Sequence, residues 1–286
     1  MRNIRFAMVK HYCFGKTVIS VETPVPLRKD PRFEAFAAEG READLCFAVR
    51  PKEEEPRRDT ASNAMPQAPH TASQRDEPPA SQTEDPRRTA PWPVTTHREG
   101  KRITVYMNTA LLPDITVANL LISANAAWEL ISEGGFLLHA SYVCHNGEAI
   151  LFTAPCGTGK STQAAFWHRE RGSMTVNEDR VLIFSKDGQF FASGCWATGS
   201  AGVTHNVTAP IRAVVLLGQG KENTVTRPKP SATLPRLLAQ CSYNTRDPSQ
   251  VGAMYSLLCD LLSAVPILAY DCINHPSSVA DLEKHL

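Results

Sequence analysis

The chain has 286 residues, of which 42% are hydrophobic and 21% are charged, and its 30 basic residues nearly balance its 29 acidic ones. This composition is typical of a soluble globular protein with one domain or two small ones. A formal net charge of +1 supplies no basic field, so the sequence argues against nucleic acid and membrane partners. No stretch approaches the ~20 apolar residues of a membrane span, and no cleavable leader pattern is visible, so we expect a cytoplasmic protein.

The eight cysteines stand singly, without the paired spacing of a disulfide framework or a zinc site. They are Cys13, Cys46, Cys144, Cys156, Cys195, Cys241, Cys259 and Cys272. The nine histidines are equally scattered along the chain. We therefore expect reduced thiols and no structural zinc.

Short β-prone runs at residues 4–9, 17–21 and 45–49 precede a stretch of different character at residues 50–98. That stretch holds nine of the 21 prolines, and its eight basic residues match its eight acidic ones. Such a composition cannot bury enough apolar surface to offset its ordering entropy, so we expect a disordered linker or insertion.

After this stretch, residues 103–107 predict a strand that pairs with the N-terminal strands. Apolar residues at helical spacing follow and end at Gly134 and Gly135. These apolar residues are Val117, Leu120, Leu121, Ala124, Trp128 and Ile131. The sequence therefore predicts a small β-rich N-terminal lobe, residues 1–49 and 99–134, that carries the insertion 50–98, and a second domain at residues 135–286.

The second domain opens on a hairpin signal, because β-prone runs at residues 137–144 and 149–153 flank Asn146 and Gly147. The second run leads directly into a glycine-rich segment that opens a helix. The segment consists of Ala154, Pro155, Cys156, Gly157, Thr158, Gly159, Lys160, Ser161 and Thr162. A glycine-rich loop between strand and helix is the context of a phosphate-binding loop, here with Ala154 in place of the usual first glycine.

In such a loop, the backbone N–H groups and the helix N-terminus hold the phosphates. Lys160, which we expect to be exposed, would reach the β and γ phosphates, and Ser161 would hold Mg²⁺. All nine residues are thus candidates for ATP binding, with Cys156 a spacer within the loop. The alternative is a glycine-rich turn that happens to carry an exposed lysine.

An acidic pair, Glu178 and Asp179, follows a β-prone run at residues 174–177, and Asp179 lies 19 residues beyond Lys160. This spacing predicts one helix and one short strand between the loop and the carboxylates. In most proteins with such a loop, the preceding strand belongs to a parallel sheet, whereas here it is the return arm of a hairpin. A solvated turn is the alternative interpretation of the acidic pair.

Three landmarks in this order resemble HPr kinase/phosphorylase and the related phosphoenolpyruvate carboxykinase-like kinases. They are His139 on the first hairpin strand, the loop 156–162 and the acidic motif 177–181. The resemblance covers residues 131–286, and the later part is similar to uncharacterised members in peptide-modification gene cassettes. It implies an α/β fold, a phosphoenolpyruvate-carboxykinase-like P-loop core with a mostly antiparallel or mixed sheet. Glu178 replaces the family's first aspartate, and its further magnesium-binding glutamate has no evident counterpart.

The resemblance implies an ATP-dependent kinase that transfers the γ-phosphoryl group to a hydroxyl, a Ser or Thr side chain of a peptide or small protein. Catalytic roles fall to Asp179 as proton acceptor, His139 beside the transferring group and Lys160 on the phosphates. Ser161 and Glu178 would hold Mg²⁺. The identity of the acceptor and the oligomeric state stay open.

Alternatives remain at this point. The chain could be a regulatory module that binds nucleotide without transferring phosphate, whereas an ABC-type ATPase is disfavoured because no Leu-Ser-Gly-Gly stretch occurs. His139 could be a hydrogen-bonded core residue. Arg180 and Arg212 could contact phosphate or lie on a solvated face, and Trp196 is better explained as a core residue.

Overall fold

The computed structural model describes residues 8–56 and 92–286 of the chain. Most of the insertion that the sequence predicts to be disordered lies outside the described residues. The described residues form two β-sheets and six α-helices. No helix within the two described ranges is long and apolar enough to cross a membrane.

The first sheet has five strands in the order β1-β2-β3-β5-β4. They are β1 (Met8–Phe14), β2 (Thr17–Thr23), β3 (Leu45–Pro51), β4 (Thr95–Glu99) and β5 (Arg102–Met107). β5 runs parallel to β3, which confirms that the strand after the insertion pairs with the N-terminal strands. Ile103, Val105 and Met107 alternate along β5 and are buried, as expected for a strand with one face on the core.

The predicted bounds of the insertion, residues 50–98, are wrong at both ends. β3 continues to Pro51 and is followed by a 3₁₀ turn at Lys52–Glu54, while β4 begins at Thr95. The sequence did not indicate β4 because its residues are polar, like those of the adjacent insertion. An edge strand tolerates such half-exposed polar side chains. The ladder between β4 and β5, from Thr95 opposite Tyr106 to Glu99 opposite Arg102, supplies the backbone hydrogen bonds.

The predicted helical stretch before Gly134 is two short helices rather than one. These are α1 (Val117–Ser123) and α2 (Ala126–Glu129), and a 3₁₀ turn, Leu130–Glu133, follows them. Asn125 has a φ of 52°, which is left-handed and interrupts the helix. Asparagine tolerates this conformation better than most residues, so the break occurs there despite the continuous apolar spacing.

The second sheet has nine strands, seven of which lie in the order β10-β9-β6-β7-β11-β14-β12, while β8 and β13 both pair with β6. They are β6 (Gly135–His145), β7 (Glu148–Thr153), β8 (Met174–Asn177), β9 (Arg180–Lys186), β10 (Gln189–Ser193), β11 (Thr208–Gln219), β12 (Thr224–Thr226), β13 (Cys241–Ser242) and β14 (Ile267–Cys272). The sheet is mixed, since β7, β11 and β14 are mutually parallel and the other pairs are antiparallel. The chain therefore has a mixed α/β fold, as predicted.

The hairpin of β6 and β7 is confirmed, with left-handed φ values of 51° at Asn146 and 80° at Gly147. The expectation that β7 lies outside a parallel sheet is wrong, because β7 pairs in parallel with β11. A hairpin strand has two edges, and the sequence of the hairpin specifies the partner on only one of them. β11 begins more than 50 residues after β7 ends.

Helices cover both faces of this sheet. They are α3 (Lys160–Arg171), α4 (Pro230–Leu238), α5 (Pro248–Ala264) and α6 (Ser277–Glu283). α3 and α6 pack on the face that carries Ile150 and Phe152 of β7, whereas α4 and α5 pack on the face that carries Leu151. Successive side chains of a strand point to opposite faces, so β7 is buried between two helical layers.

The two sheets share a core at their junction. Trp196, only 1% exposed, packs edge-to-face on Phe14 of β1 with ring centroids 4.9 Å apart, which confirms it as a core residue. Leu137, Leu182 and Phe184 of the second sheet join the same cluster. The division of the chain into the domains given above stays a prediction.

Candidate functional site

The candidate phosphate loop, residues 154–162, connects β7 to α3 as the sequence predicts. Gly157 and Gly159 adopt left-handed φ values of 81° and 112°, and Gly159 is the N-cap of the helix. Neither position would crowd a Cβ atom, so the requirement for glycine is the backbone conformation itself. The turn exposes Pro155, Cys156 and Gly157 at the edge of the sheet.

Lys160 is buried, and the expectation of an exposed lysine is wrong. Its side chain turns back into the loop, where Nζ donates to the carbonyl of Ala154 at 2.9 Å and to that of Pro155 at 3.3 Å. Burial lowers the pKa of Lys160 below its usual 10.5, and the charge of Asp179 only partly opposes that shift. The ammonium group is therefore poorly hydrated, and its present partners are neutral carbonyls.

Ser161 and Thr162 are exposed on the first turn of α3, where a ligand bound at the helix N-terminus would meet them. A cavity of about 360 Å³ adjoins this turn, which we call the loop cavity. Its lining residues are Gly157, Thr158, Gly159, Thr162, Gln163, Leu217, Gly218, Gln219, Gly220, Cys272, Ile273 and Asn274. It lies at the carboxyl ends of the parallel strands β11 and β14, which is where open α/β sheets bind ligands.

His139 and Asp179, predicted from separate motifs, lie side by side. His139 stands opposite Arg180 in the ladder of β6 and β9, and Asp179 immediately precedes β9. The imidazole Nε2 is 3.4 Å from Asp179 Oδ1, and the guanidinium Nε of Arg180 is 3.4 Å from Asp179 Oδ2. The ladder of β6 with β7 pairs Ala140 with Thr153, so this group lies beside the start of the candidate phosphate loop.

The environment of Asp179 favours its ionised form. Burial alone would raise the pKa of this carboxyl, but the contact with His139 and the charges of Arg180 and Lys160 outweigh burial. The pKa therefore lies below its ordinary value of 3.8. The backbone N–H of Ala140 donates to the carbonyl of Asp179 at 3.0 Å, and Ala140 pairs with Thr153, the last residue of β7. The structure therefore places Asp179 beside the start of the loop that carries Lys160.

Asn177 fixes the turn that carries the acidic pair, and sequence reasoning assigned it no role. Its side chain is fully buried, and Oδ1 accepts from the backbone N–H of Asp179 at 3.1 Å and of Arg180 at 3.2 Å. Its Nδ2 donates to the carbonyl of Ala197 at 3.3 Å and to Thr204 Oγ1 at 3.4 Å. An asparagine just before an acidic pair is itself a turn signal, so this role was accessible from the sequence.

Gln240 is a second residue that the sequence did not reveal. Its Oε1 lies 2.9 Å from His139 Nδ1, and its carbonyl accepts from the backbone N–H of His139 at 2.8 Å. Gln240 follows α4 and is separated from His139 by 101 positions. No local pattern marks such a residue, because its position depends on how α4 returns the chain to β6.

Glu178 lies half-buried beside a loop that follows β10. One of its oxygens, Oε1, accepts from the backbone N–H of Val203 at 3.3 Å. Within the described residues, no group of three or more His, Cys, Asp or Glu side chains could hold a metal ion. Ser161 and Glu178 nevertheless offer the oxygen donors that Mg²⁺ prefers, and this ion keeps several waters and substrate phosphates as its other ligands. Magnesium held by these two residues would therefore need the phosphates of a bound nucleotide as further ligands.

The two arginines take different positions. Arg180 belongs to the group around Asp179, whereas Arg212 pairs with Glu148 at 3.9 Å and donates to the carbonyl of Leu286. Glu148 begins β7, so Arg212 lies at the end of that strand opposite the candidate phosphate loop. Of the two, only Arg180 is placed to influence the site.

No protein-family model and no curated protein sequence matches this chain. Among solved structures, the Hpr(Ser) kinase/phosphatase from Coxiella burnetii is similar, with a TM-score of 0.30 and 12% sequence identity. The match covers 52% of this chain and 94% of that chain.

Proposed function

We propose that the protein is an ATP-dependent kinase that transfers the γ-phosphoryl group to a Ser or Thr hydroxyl of a peptide or small protein. One observation carries the proposal. Asp179 lies 3.4 Å from His139, and its carbonyl accepts from the backbone N–H of Ala140, which pairs with Thr153 at the start of the glycine-rich loop that holds the buried Lys160. A phosphoryl group held by Lys160 would therefore lie near a proton acceptor supplied by Asp179.

Nucleotide binding would use the candidate phosphate loop, residues 154–162. Its backbone N–H groups and the α3 N-terminus would face the phosphates, while Lys160 would exchange two neutral carbonyl partners for phosphate oxygens. Charge-assisted hydrogen bonds are stronger than those to neutral groups, so the exchange favours the bound state. Magnesium, held by Ser161 and Glu178 together with the phosphates, would neutralise charge that develops during transfer.

The transfer itself would be a single displacement. The acceptor hydroxyl oxygen forms a bond to the γ-phosphorus as the bond from that phosphorus to the β–γ bridging oxygen breaks, and ADP leaves. Asp179 takes the hydroxyl proton, and His139 supports this carboxylate at 3.4 Å. Little covalent chemistry falls to the protein, so positioning and electrostatics supply the catalysis.

A module that binds nucleotide without transferring phosphate is the second candidate. The observation that favours it is that Lys160 bonds to carbonyls of its own loop rather than facing outwards. Such a lysine could report the presence of a nucleotide through the loop that it leaves. The position of Asp179 beside His139 argues for the kinase, because binding a nucleotide without transfer requires no proton acceptor near the phosphates.

The substitution Asp179→Asn separates the two functions. The amide keeps the size of the side chain but cannot accept a proton, and general-base catalysis contributes about 10² to 10⁴ in rate. The variant should bind Mg·ATP about as tightly as the parent but label degenerate Ser- and Thr-containing peptide pools at least ~100-fold more slowly from γ-labelled ATP. Asp187→Asn, in the exposed turn between β9 and β10, is the matched control.

A parent protein that binds Mg·ATP and labels no pool would decide for the nucleotide-binding module. Equal transfer rates in the parent and in Asp179→Asn would remove Asp179 from the mechanism.

A further inference from the structure

A second cavity, of about 380 Å³, lies between the N-terminal part of the chain and the second sheet. We call it the junction cavity. Among its lining residues are Ile122, Asn125, Ala127, Arg180, Trp196 and Ser242. We propose that it binds the acceptor peptide through a large apolar side chain next to the phosphorylated Ser or Thr, an inference that rests on the proposed function.

The strand order places the two cavities on opposite sides of β7. β7, which leads into the candidate phosphate loop, has β11 as one neighbour and β6 as the other. The loop cavity lies on the β11 and β14 side, whereas the junction cavity is lined from β6, β9 and β13. A nucleotide extending from the loop into the first cavity leaves the second free for the acceptor, on the side where Asp179 precedes β9.

Arg180 connects the junction cavity to the candidate base. Its Nε lies 3.4 Å from Asp179 Oδ2, and one of its terminal nitrogens donates to Ser242 Oγ at 3.3 Å. Arg180 and Ser242 both line the cavity. A residue bound there would contact Arg180, which in turn contacts Asp179, so a Ser or Thr next to that residue in the peptide would lie near the candidate base.

The walls of the cavity select an apolar group. Ile122 is exposed and Ala127, Trp128 and Ala197 are half-buried, so the accessible apolar surface of the cavity comes from these side chains, with Leu121, Leu137 and Trp196 buried behind them. Among the lining residues, Arg180 alone carries a full charge, and Asp179 already pairs with it, so the cavity offers no free partner for a charged residue of the peptide and accommodates an aliphatic or aromatic one. Burial of such a side chain supplies affinity for the acceptor without any contact to the nucleotide.

The cavity depends on the junction of the two sheets. Asn125, whose left-handed backbone separates α1 from α2, lies on its wall, and Ile122 at the end of α1 is 39% exposed. The opposite wall is β13, which begins directly after Gln240, the residue that contacts His139. The N-terminal helices thus complete a site whose other half belongs to the reacting groups, which gives the N-terminal part of the chain a role in recognition.

The test uses the full chain, γ-labelled ATP and positional-scanning pools of peptides with a central Ser or Thr and one fixed flanking residue. The parent should label pools with a fixed Leu, Ile, Met or Phe at least about tenfold faster than pools with a fixed Lys or Arg. Ala127→Trp, which fills the cavity, should remove this preference. Ile122→Glu, at its rim, should remove it as well and raise labelling of the Lys and Arg pools.

Matched controls lie outside the cavity. Ala253→Trp on the exposed side of α5 and Val9→Glu on the exposed part of β1 should keep the parental preference. Calorimetric Mg·ATP affinity should be the same in all five proteins, because no substituted residue touches the candidate phosphate loop. Circular dichroism verifies that each variant is folded, and the rim variant keeps the test valid where the tryptophan does not fit.

The outcomes separate this inference from the proposed function. A parent that phosphorylates peptides without a flanking apolar preference, or cavity variants that keep the preference, would overturn the junction cavity as the docking site and leave the kinase in place. A parent that binds Mg·ATP but labels no pool would overturn both.

Discussion

The two halves of the candidate site are built in different ways. The nucleotide half is nine consecutive residues, 154–162, whose conformation depends on two left-handed glycines and the start of α3. The carboxylate half is assembled from β6, the turn before β9, the loop after β10 and Gln240 in the segment between α4 and β13. Local backbone conformation thus organises one half, and contacts distant in sequence organise the other.

This difference predicts how each half responds to substitution. A change in the nucleotide half removes a contact with the ligand and leaves the sheet intact. A change in the carboxylate half removes side-chain hydrogen bonds that connect several elements, so stability and transfer rate should fall together. The following substitutions test the contrast, beginning with the largest expected effect.

Lys160→Met should weaken Mg·ATP binding by about 100-fold or more, because it deletes at least two charge-assisted contacts to phosphate. The fold should lose about 1–3 kcal/mol, since the carbonyl of the buried Ala154 loses its donor, the carbonyl of the exposed Pro155 can bond to water, and the methionine keeps the apolar contacts. Calorimetric titration and urea unfolding measure the two effects. Lys186→Ala, an exposed lysine at the end of β9, controls for the loss of charge, and unchanged affinity in Lys160→Met would exclude the candidate phosphate loop as the nucleotide site.

Asn177→Ala should lower both stability and transfer. The backbone N–H groups of Asp179 and Arg180 lose their acceptor, and each unsatisfied group costs about 1–3 kcal/mol, so we expect a loss of about 2–6 kcal/mol in the free energy of unfolding. Asn177→Ser keeps a hydroxyl acceptor for these amides and should recover part of both losses.

The control for this substitution is Asn206→Ala, an exposed residue with one hydrogen bond to the carbonyl of Ala35. It should cost about 1 kcal/mol or less and leave transfer unchanged. A merely structural role for Asn177 would lower stability without changing the transfer rate of the folded protein at saturating Mg·ATP. That result would place the acidic turn outside the reaction.

The same contrast explains how much the sequence could predict. The hairpin at Asn146 and Gly147 and the loop 154–162 are local patterns, and the structure places both as expected. The pairing of His139 with Asp179 was accessible only through the family resemblance. The exposed position expected for Lys160 was wrong because sequence cannot show which way a long side chain turns.

The features of the fold and the site that the sequence did not predict are contacts between segments that are far apart in the chain. The parallel pairing of β7 with β11 and the contact of Gln240 with His139 each join segments with no shared local pattern. The break at Asn125 is an exception, because it is local in sequence. The spacing of the surrounding apolar residues favours one continuous helix, but Asn125 adopts a left-handed backbone conformation that ends α1. Edge strand β4 was missed because its composition resembles that of the adjacent insertion.

Gln240→Leu should reduce the transfer rate by about tenfold, because it removes the partner of His139 Nδ1 and leaves the imidazole free to rotate away from Asp179. Mg·ATP affinity should not change, since Gln240 contacts no residue of the candidate phosphate loop. Gln240→Glu keeps an oxygen acceptor and should stay close to the parental rate. Single-turnover transfer checks this prediction, with Gln189→Leu at the exposed start of β10 as the control, and a parental rate in Gln240→Leu would contradict it.

The smallest predicted effect is a pH dependence of opposite sign for binding and stability. Burial lowers the pKa of Lys160 in the free protein, whereas bound phosphate would favour its charged form. Binding should therefore take up a proton at alkaline pH, and affinity for Mg·ATP should fall as the pH rises through the lowered pKa, by at most about tenfold per pH unit.

Stability should move the other way. Between the lowered pKa and the usual 10.5, Lys160 carries its proton in the unfolded chain but not in the folded one. The unfolded state then binds more protons, so the free energy of unfolding rises with pH over that window. Asp179 contributes no slope there, because its pKa lies below 3.8 and the carboxylate stays ionised in both states. Titrations and urea unfolding from about pH 7 to about pH 10, each compared with Lys160→Met to cancel the other titrating groups, should show both slopes in the parent alone. Slopes of equal sign, or slopes retained in Lys160→Met, would mean that another group titrates and that Lys160 remains charged throughout.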